Sequence, residues 1–336
     1  MRIAVFRALQ LGDLLCAVPA LRALRHAYAE AQITLIGLPW AKELASRLRA
    51  YVDDFIEFPG FPGMPERTPD VAVMADFFRL ARARGFDLAI QLHGSGELTN
   101  PITALLGART SAGHYRSGQW CPDRERFYEW RDDEHEVLRW LRLLERLGIA
   151  PRGTHLEFPL REIDWHEWRA LRLHDYAVIH AGSQLASRRW LPERFAEVGD
   201  ALAAEGLRLV LTGTAAEASL TARVQRAMRE PALDLTGRTT LGVLGALIAR
   251  ARLLVCNDTG VSHLAAALGT PSVVVACGSD PRRWAPLNRE LHRVLAAEVP
   301  CRPCAHRECP IGHPCAIRVS AGDVIAETRK ALLCAA

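Results

Sequence analysis

Residues Leu253–Gly269 read LLVCNDTGVSHLAAALG, and the order of the parts decides the fold. Leu253–Cys256 is a short apolar run of the kind that forms a buried strand. Asn257-Asp258-Thr259-Gly260 is turn chemistry, and Val261–Leu268 has helical composition. A strand–turn–helix of this kind turns several backbone N–H groups toward whatever sits above the turn, with the positive end of the helix dipole behind them. Gly260 lets a ligand approach the backbone, the Thr259 hydroxyl adds a donor, and His263 lies about one turn into the helix. Asp258 does not belong against a phosphate; it suits a cap or sugar hydroxyls. A plain helix start explains Asp258-Thr259-Gly260 equally well.

The same rhythm runs along the chain in both directions. In the first half, strand candidates are Ile3–Phe6, Ile33–Ile36, Asp54–Phe58, Leu88–Leu92 and Thr110–His114, with helical patterns at Leu14–Tyr28 and Ala75–Arg84. In the second, Ala177–His180, Leu207–Thr212, Leu253–Cys256 and Ser272–Ala276 alternate with helices near Pro192–Glu205, Ala216–Arg229, Leu241–Arg250 and Val261–Leu268. Alternation of this kind builds parallel sheets from βαβ units, so the class is α/β. The pattern breaks at Pro151, Gly153 and Pro159. The reading is therefore two Rossmann-like domains, residues 1–160 and 161–319, facing a cleft, with a terminal helix over 320–336 packing back on the first.

Composition agrees. The 336 residues are 49% hydrophobic and 24% charged, a globular balance with room for two cores of about 150 residues. A net charge of +4 suits an anionic small substrate and argues against non-specific nucleic-acid binding. Apart from Lys42 and Lys330 every basic residue is Arg, whose planar fork suits phosphate. No stretch approaches the roughly 20 apolar residues of a membrane span, and Arg7 and Asp13 interrupt any signal-peptide core, so a cytoplasmic location is expected.

A second cradle follows the strand ending at His180: Ala181-Gly182-Ser183-Gln184, then Arg188-Arg189-Trp190-Leu191-Pro192 leading into a helix. A Gly-Ser turn followed by two Arg residues can hold an anion through paired hydrogen bonds; two solvated arginines before a helix would look the same. With Leu235-Thr236-Gly237-Arg238-Thr239, the Asn257–Gly260 turn with His263-Leu264-Ala265-Ala266, Asp280-Pro281, Trp284 and Pro286, this region resembles the donor domain of glycosyltransferase family 9, the heptosyltransferases. Gly12-Asp13, Pro19-Ala20-Leu21 and Leu24-Arg25 extend the resemblance over nearly the whole chain. One departure is Arg188, where the family usually carries Lys.

The resemblance implies the two-domain GT-B architecture. It also implies transfer of a heptose from ADP-L-glycero-β-D-manno-heptose to the inner core of lipopolysaccharide, with inversion and no cofactor for the chemistry. Donor-side candidates are Ser183, Arg188, Asp258, Thr259, Gly260 and His263. Asp13 aligns with the family's proposed base; from its place before the helix Leu14–Tyr28 alone, it reads as an N-cap. Gly12, His93 and Arg116 are acceptor-side candidates. A lipid-linked or oligosaccharide acceptor and peripheral contact with the inner membrane are expected. Alternatives are another nucleotide-sugar donor, a protein acceptor, or a non-catalytic sugar-nucleotide binder. An oxidoreductase is disfavoured, because Arg7–Asp13 lacks the G-x-G-x-x-G turn.

Cys301, Cys304, Cys309 and Cys315 place four thiols in fifteen residues. The first pair has metal-ligand spacing, so structural Zn or Fe and simple loop packing both stand as readings.

Overall fold

The computed structural model describes residues 1–334, so residues 335–336 of the expected terminal helix lie outside the described residues. The chain divides into two compact units, Met1–His155 and a second beginning at Leu156.

The first unit carries β1 (Arg2–Phe6), α1 (Leu11–Ala27), β2 (Gln32–Gly37), α2 (Ala41–Arg47), β3 (Asp54–Glu57) and α3 (Val71–Ala83). It continues with β4 (Leu88–Gln91), α4 (Thr99–Leu105), β5 (Thr110–Tyr115), β6 (Phe127–Glu129) and α5 (Glu136–Arg146). The strands form one sheet in the order β3-β2-β1-β4-β5-β6. Every pairing is parallel.

The second unit begins with α6 (Glu162–Ala170), β7 (Tyr176–His180), a 3₁₀ turn (Ala186–Arg188), α7 (Pro192–Ala204) and β8 (Arg208–Leu211). A second 3₁₀ turn (Ala215–Glu217), α8 (Ala218–Ala227), β9 (Ala232–Asp234), α9 (Leu241–Ala249), β10 (Leu253–Asn257) and α10 (Gly260–Leu268) follow. It ends with β11 (Ser272–Val275), α11 (Pro281–Trp284), β12 (His292–Leu295), α12 (Pro314–Ile317) and α13 (Ala321–Cys334). Its parallel sheet runs β12-β11-β10-β7-β8-β9. Counted from its own first strand, this is the same 3-2-1-4-5-6 order as the first unit, the doubly wound Rossmann order.

Both sheets are covered on two faces, so their central strands are apolar without alternation. In β1, Ile3, Val5 and Phe6 are buried, and in β10 every residue is. The strands absent from the sequence reading, β6, β9 and β12, are a sheet edge each time: FYE, ALD and HRVL carry charge and expose part of their surface. Helix α13 packs against α7 and strands β10, β11 and β12 of the second unit, with Val324 and Ala331 buried in that unit's core.

Candidate functional site

In a doubly wound sheet, adjacent loops leave in opposite directions where the strand order reverses, opening a crevice at the carboxyl ends. That point lies between β1 and β4 in the first unit and between β7 and β10 in the second. The sequence-derived candidates cluster at both.

In the first unit α1 starts at Leu11, three residues earlier than the pattern suggested, so Asp13 is not an N-cap. It is the third residue of the helix, and its half-buried carboxylate reaches back to accept from the Gln10 amide at 3.2 Å in a capping box. Gly12 is buried beside it. The loop is held from below by Arg7, a residue the sequence reading did not single out for the site. Its fully buried guanidinium donates from Nε to the Asp13 carbonyl at 2.6 Å, from Nη1 to the Leu92 carbonyl, and from Nη2 to Glu136 of α5 at 3.1 Å. Arg139 reaches the other oxygen of Glu136 at 3.2 Å, and Arg7 and Arg139 lie over the rings of Trp140 and Trp130. The signal was an arginine one residue past an otherwise apolar strand.

His93 is buried at the end of β4, stacked on Phe6 with ring centroids 5.2 Å apart. Its Nδ1 accepts from the Ala8 amide at 3.1 Å, which leaves Nε2 as the nitrogen that carries hydrogen, 3.6 Å from Glu66. His93 therefore ties the β1 and β4 loops together from inside. Arg116 lies at the end of β5, its guanidinium in a two-point pair with Asp132, both bonds 3.2 Å. The structure thus brings Gly12, Asp13 and His93 to one crevice and gives Arg116 a carboxylate partner.

In the second unit the tie is Asn257, fully buried at the end of β10. Its Oδ1 accepts from the Trp190 amide at 2.8 Å and its Nδ2 donates to the Ala181 carbonyl at 2.7 Å, which pins the turn after β7 to the turn after β10. Trp190 is itself buried and donates to the Val319 carbonyl at 3.0 Å. Thr259 is the N-cap of α10 in extended conformation, and its side chain makes no capping bond. The hydroxyl is therefore not consumed by the helix it precedes. Gly260 opens the helix, and His263 is buried within its first turn with its ring edge-on to Trp284 at 6.2 Å.

Across the crevice, Ser183 is buried and its carbonyl accepts from Arg189 at 2.8 Å. Arg188 is half-buried, and its Nε is a buried donor with no partner among the described residues. A buried unsatisfied guanidinium nitrogen is unfavourable by itself and fits a site built for an acceptor group.

The sequence reading missed Glu217. A Cβ at Gly182 would come within 2.2 Å of its carboxylate, so the bare glycine is what admits that acid to the β7 turn. The Thr214 amide and hydroxyl hold it at 2.8 and 2.9 Å. Thr214-Ala215-Ala216-Glu217 is a capping box that sequence could have shown. Nearby His180 is fully buried; burial pushes its pKa below the usual 6.5, while the Glu217 charge pulls the other way.

At the cysteines, metal binding and loop packing were both open readings, and the structure gives the metal reading no support. Among the described residues no group of three or more His, Cys, Asp or Glu comes together to hold a metal ion. Cys301 is exposed, and Cys309 accepts from the His313 amide at 3.1 Å. Cys315 is buried beside Cys277 of the β11 loop, and the hydrogen bond from Cys277 lowers its pKa to about 6.

Comparison with known proteins agrees with this geometry. The sequence profile of Glycosyltransferase family 9 (heptosyltransferase) matches residues 74–314. Lipopolysaccharide heptosyltransferase 3 of Escherichia coli K12 is 27% identical, over 96% of this chain and 95% of its own. A family 9 glycosyl transferase structure from Veillonella parvula superposes with a TM-score of 0.80 at 24% identity, covering 99% of this chain and 97% of the other. The Escherichia coli ADP-heptose lipopolysaccharide heptosyltransferase II structure gives 0.77 at 21% identity, covering 99% of both. These two structures carry the GT-B type of fold. With the profile match running through most of the chain, the protein belongs to glycosyltransferase family 9, the heptosyltransferase family, and is a glycosyltransferase.

Proposed function

We propose that the protein transfers a heptose from an ADP-heptose donor to a lipopolysaccharide core acceptor, with inversion at the anomeric carbon. The observation that carries the reading is the second unit's switch point. There the N-terminus of α10 with its uncommitted Thr259 hydroxyl, and the unpartnered Arg188 Nε, belong to two turns that one amide pins together. Helix N–H groups and a guanidinium are the groups that stabilise a leaving diphosphate. The similarity to a lipopolysaccharide heptosyltransferase supports the sugar and the acceptor class. Asp258 and His263 are assigned to the sugar, Ser183 and Arg188 to the diphosphate.

In the proposed step an acceptor hydroxyl oxygen attacks the anomeric carbon. The bond from that carbon to the phosphate oxygen breaks, and its electron pair leaves with the nucleoside diphosphate. The hydroxyl proton passes to the carboxylate of Asp13, in the first turn of α1, whose backbone carbonyl the Arg7 guanidinium holds. One base and one displacement give inversion without a covalent intermediate. No cofactor is assigned to the step. Among the described residues no helix is long and apolar enough to cross a membrane, and we assign the protein to the cytoplasmic face of the inner membrane, where such an acceptor would be met.

Two measurements test this. Thermal shift with ADP-, UDP- and GDP-sugars is expected to favour ADP-heptose; preference for a UDP- or GDP-sugar overturns the donor assignment. Asp13→Asn is expected to lower turnover by about 10²- to 10⁴-fold with donor binding retained. Near-normal turnover in that variant removes Asp13 from the mechanism, and absence of transfer by the wild-type chain with intact donor binding points to a binding protein.

A further inference from the structure

The cysteine-rich segment makes a dense set of contacts with one residue. Ser187, buried and immediately before Arg188, gives all three of its polar groups to that segment. Its amide donates to the Arg307 carbonyl at 3.0 Å, and its hydroxyl donates to the His306 carbonyl at 2.6 Å. Its carbonyl accepts from His313 Nε2 at 2.9 Å. His313 adopts a left-handed backbone conformation, φ 59°, and its amide is held by the Cys309 sulfur at 3.1 Å. A non-glycine residue in that region is strained and persists where its surroundings fix it.

The segment is anchored on its other side to the loop after β11. Arg302 donates to the Ala276 and Ala297 carbonyls at 3.0 and 3.1 Å, and the Cys304 amide donates to the Gly278 carbonyl at 2.7 Å. Gly278 has no side chain where three neighbours converge. A Cβ there would lie 2.9 Å from Cys304 Cβ, 3.2 Å from the Ser187 carbonyl oxygen and 3.6 Å from Arg188 Cγ. The segment thus spans from the loop after β11 to the turn after β7, and the point where it lands is the residue that precedes Arg188.

We propose that residues 301–315 form a brace that positions the Arg188 guanidinium, with His313 and Ser187 as positioning residues for binding of the donor diphosphate. This rests on reading Arg188 as a diphosphate ligand. The segment works through the His306 and Arg307 carbonyls and the His313 imidazole, with Cys309 fixing the His313 turn. Without the brace, the three-residue 3₁₀ turn Ala186–Arg188 has little of its own to hold it, being a single turn with one intra-turn bond at each end. The binding cost of a mobile arginine would then fall on the donor.

The test is titration of ADP into the full-length protein by calorimetry, with donor KM and kcat measured alongside. Arg188→Ala is expected to weaken ADP binding by about 10- to 100-fold, the effect of losing a charged hydrogen-bond donor. His313→Ala and Ser187→Ala are each expected to weaken it by about 2- to 10-fold, raising donor KM with little change in kcat. His313→Gln, which can present an N–H near the position of Nε2, is expected to restore binding. The double variant His313→Ala/Arg188→Ala is expected to bind ADP no more weakly than Arg188→Ala, because the brace acts only through that arginine. Multiplication of the two losses, or wild-type affinity in both His313→Ala and Ser187→Ala, overturns the brace. Wild-type affinity in Arg188→Ala overturns the reading of Arg188 instead. Unfolding curves for each variant identify a folding defect, and the double variant compared with its parent keeps the outcome decisive if stability falls.

Discussion

In the first unit a buried guanidinium joins the ends of β1 and β4; in the second the neutral amide of Asn257 joins the ends of β7 and β10. The sheets have the same strand order, so the same two loops need fastening in each. The chemistry differs in its consequences. A buried charge must be matched, and Arg7 brings with it Glu136, Arg139 and Glu134, the last also paired with Arg142. Its charge is therefore already answered inside the first unit. An amide needs only one donor and one acceptor, so the second unit fastens its loops without adding a charge. The Arg188 cation above it then stands without an internal partner at Nε. The neutral fastener thus adds no charge of its own to the second crevice, while the charged one fixes the first turn of α1, which carries Asp13.

The comparison can be broken most severely at Arg7. Arg7→Met leaves Glu136 with one of its two arginines and the Asp13 and Leu92 carbonyls without their donor, and is expected to destabilise the first unit by about 3–5 kcal/mol. Denaturant unfolding measures it. A loss under 1 kcal/mol would mean the charge is not the fastener.

Asn257→Leu should come next, at about 2–3 kcal/mol, since it orphans the buried Trp190 amide and Ala181 carbonyl. It should also weaken ADP binding, because both donor turns lose their common anchor. Retention of wild-type ADP affinity would show that the turns stand independently.

The smallest effect concerns pH. His114, buried in the first unit among Tyr128, Trp130 and Trp140, has its pKa lowered from 6.5 to about 3 by burial first and the Arg139 charge second. Because the folded pKa lies below the unfolded one, the unfolded chain binds the extra proton between those values, and stability falls as pH drops through that window. From pH 6.5 to 5.5 this amounts to about 1 kcal/mol for one such histidine. The second unit has its own such groups in His292, lowered to about 4 by burial and then His263, and in the buried His180. His114→Phe should flatten the slope for the first unit alone; an unchanged slope would assign the whole of it to the second.

Much of the fold was legible because central strands of a parallel sheet are buried on both faces and must be apolar throughout. The edges β6, β9 and β12 were not, because a half-solvated strand tolerates charge and loses the pattern. The start of α1 was misjudged because Asp13 resembles an N-cap in sequence, whereas a capping box puts the same residue at the third helical position. The turns after β7 and β10 were legible from turn chemistry at Gly182–Arg188 and Asn257–Gly260. Glu217 was not, since its importance comes from a glycine 35 positions earlier that makes room for it.

The sequence by itself determined two α/β units, the strand–turn–helix at Leu253–Leu268 and membership of a glycosyltransferase family, because each is written in residues close together along the chain. Only the tertiary structure decided what holds those sites. Arg7 meets Glu136 across 129 positions, and Ser187 meets His306 and His313 across 119 and 126. It also showed, among the described residues, no group of three or more metal-ligating side chains, and it packed the terminal helix on elements of the second unit. The physical reason is the same in each case. A buried polar group must find its partner wherever the strand order delivers one, and no local spacing records that delivery.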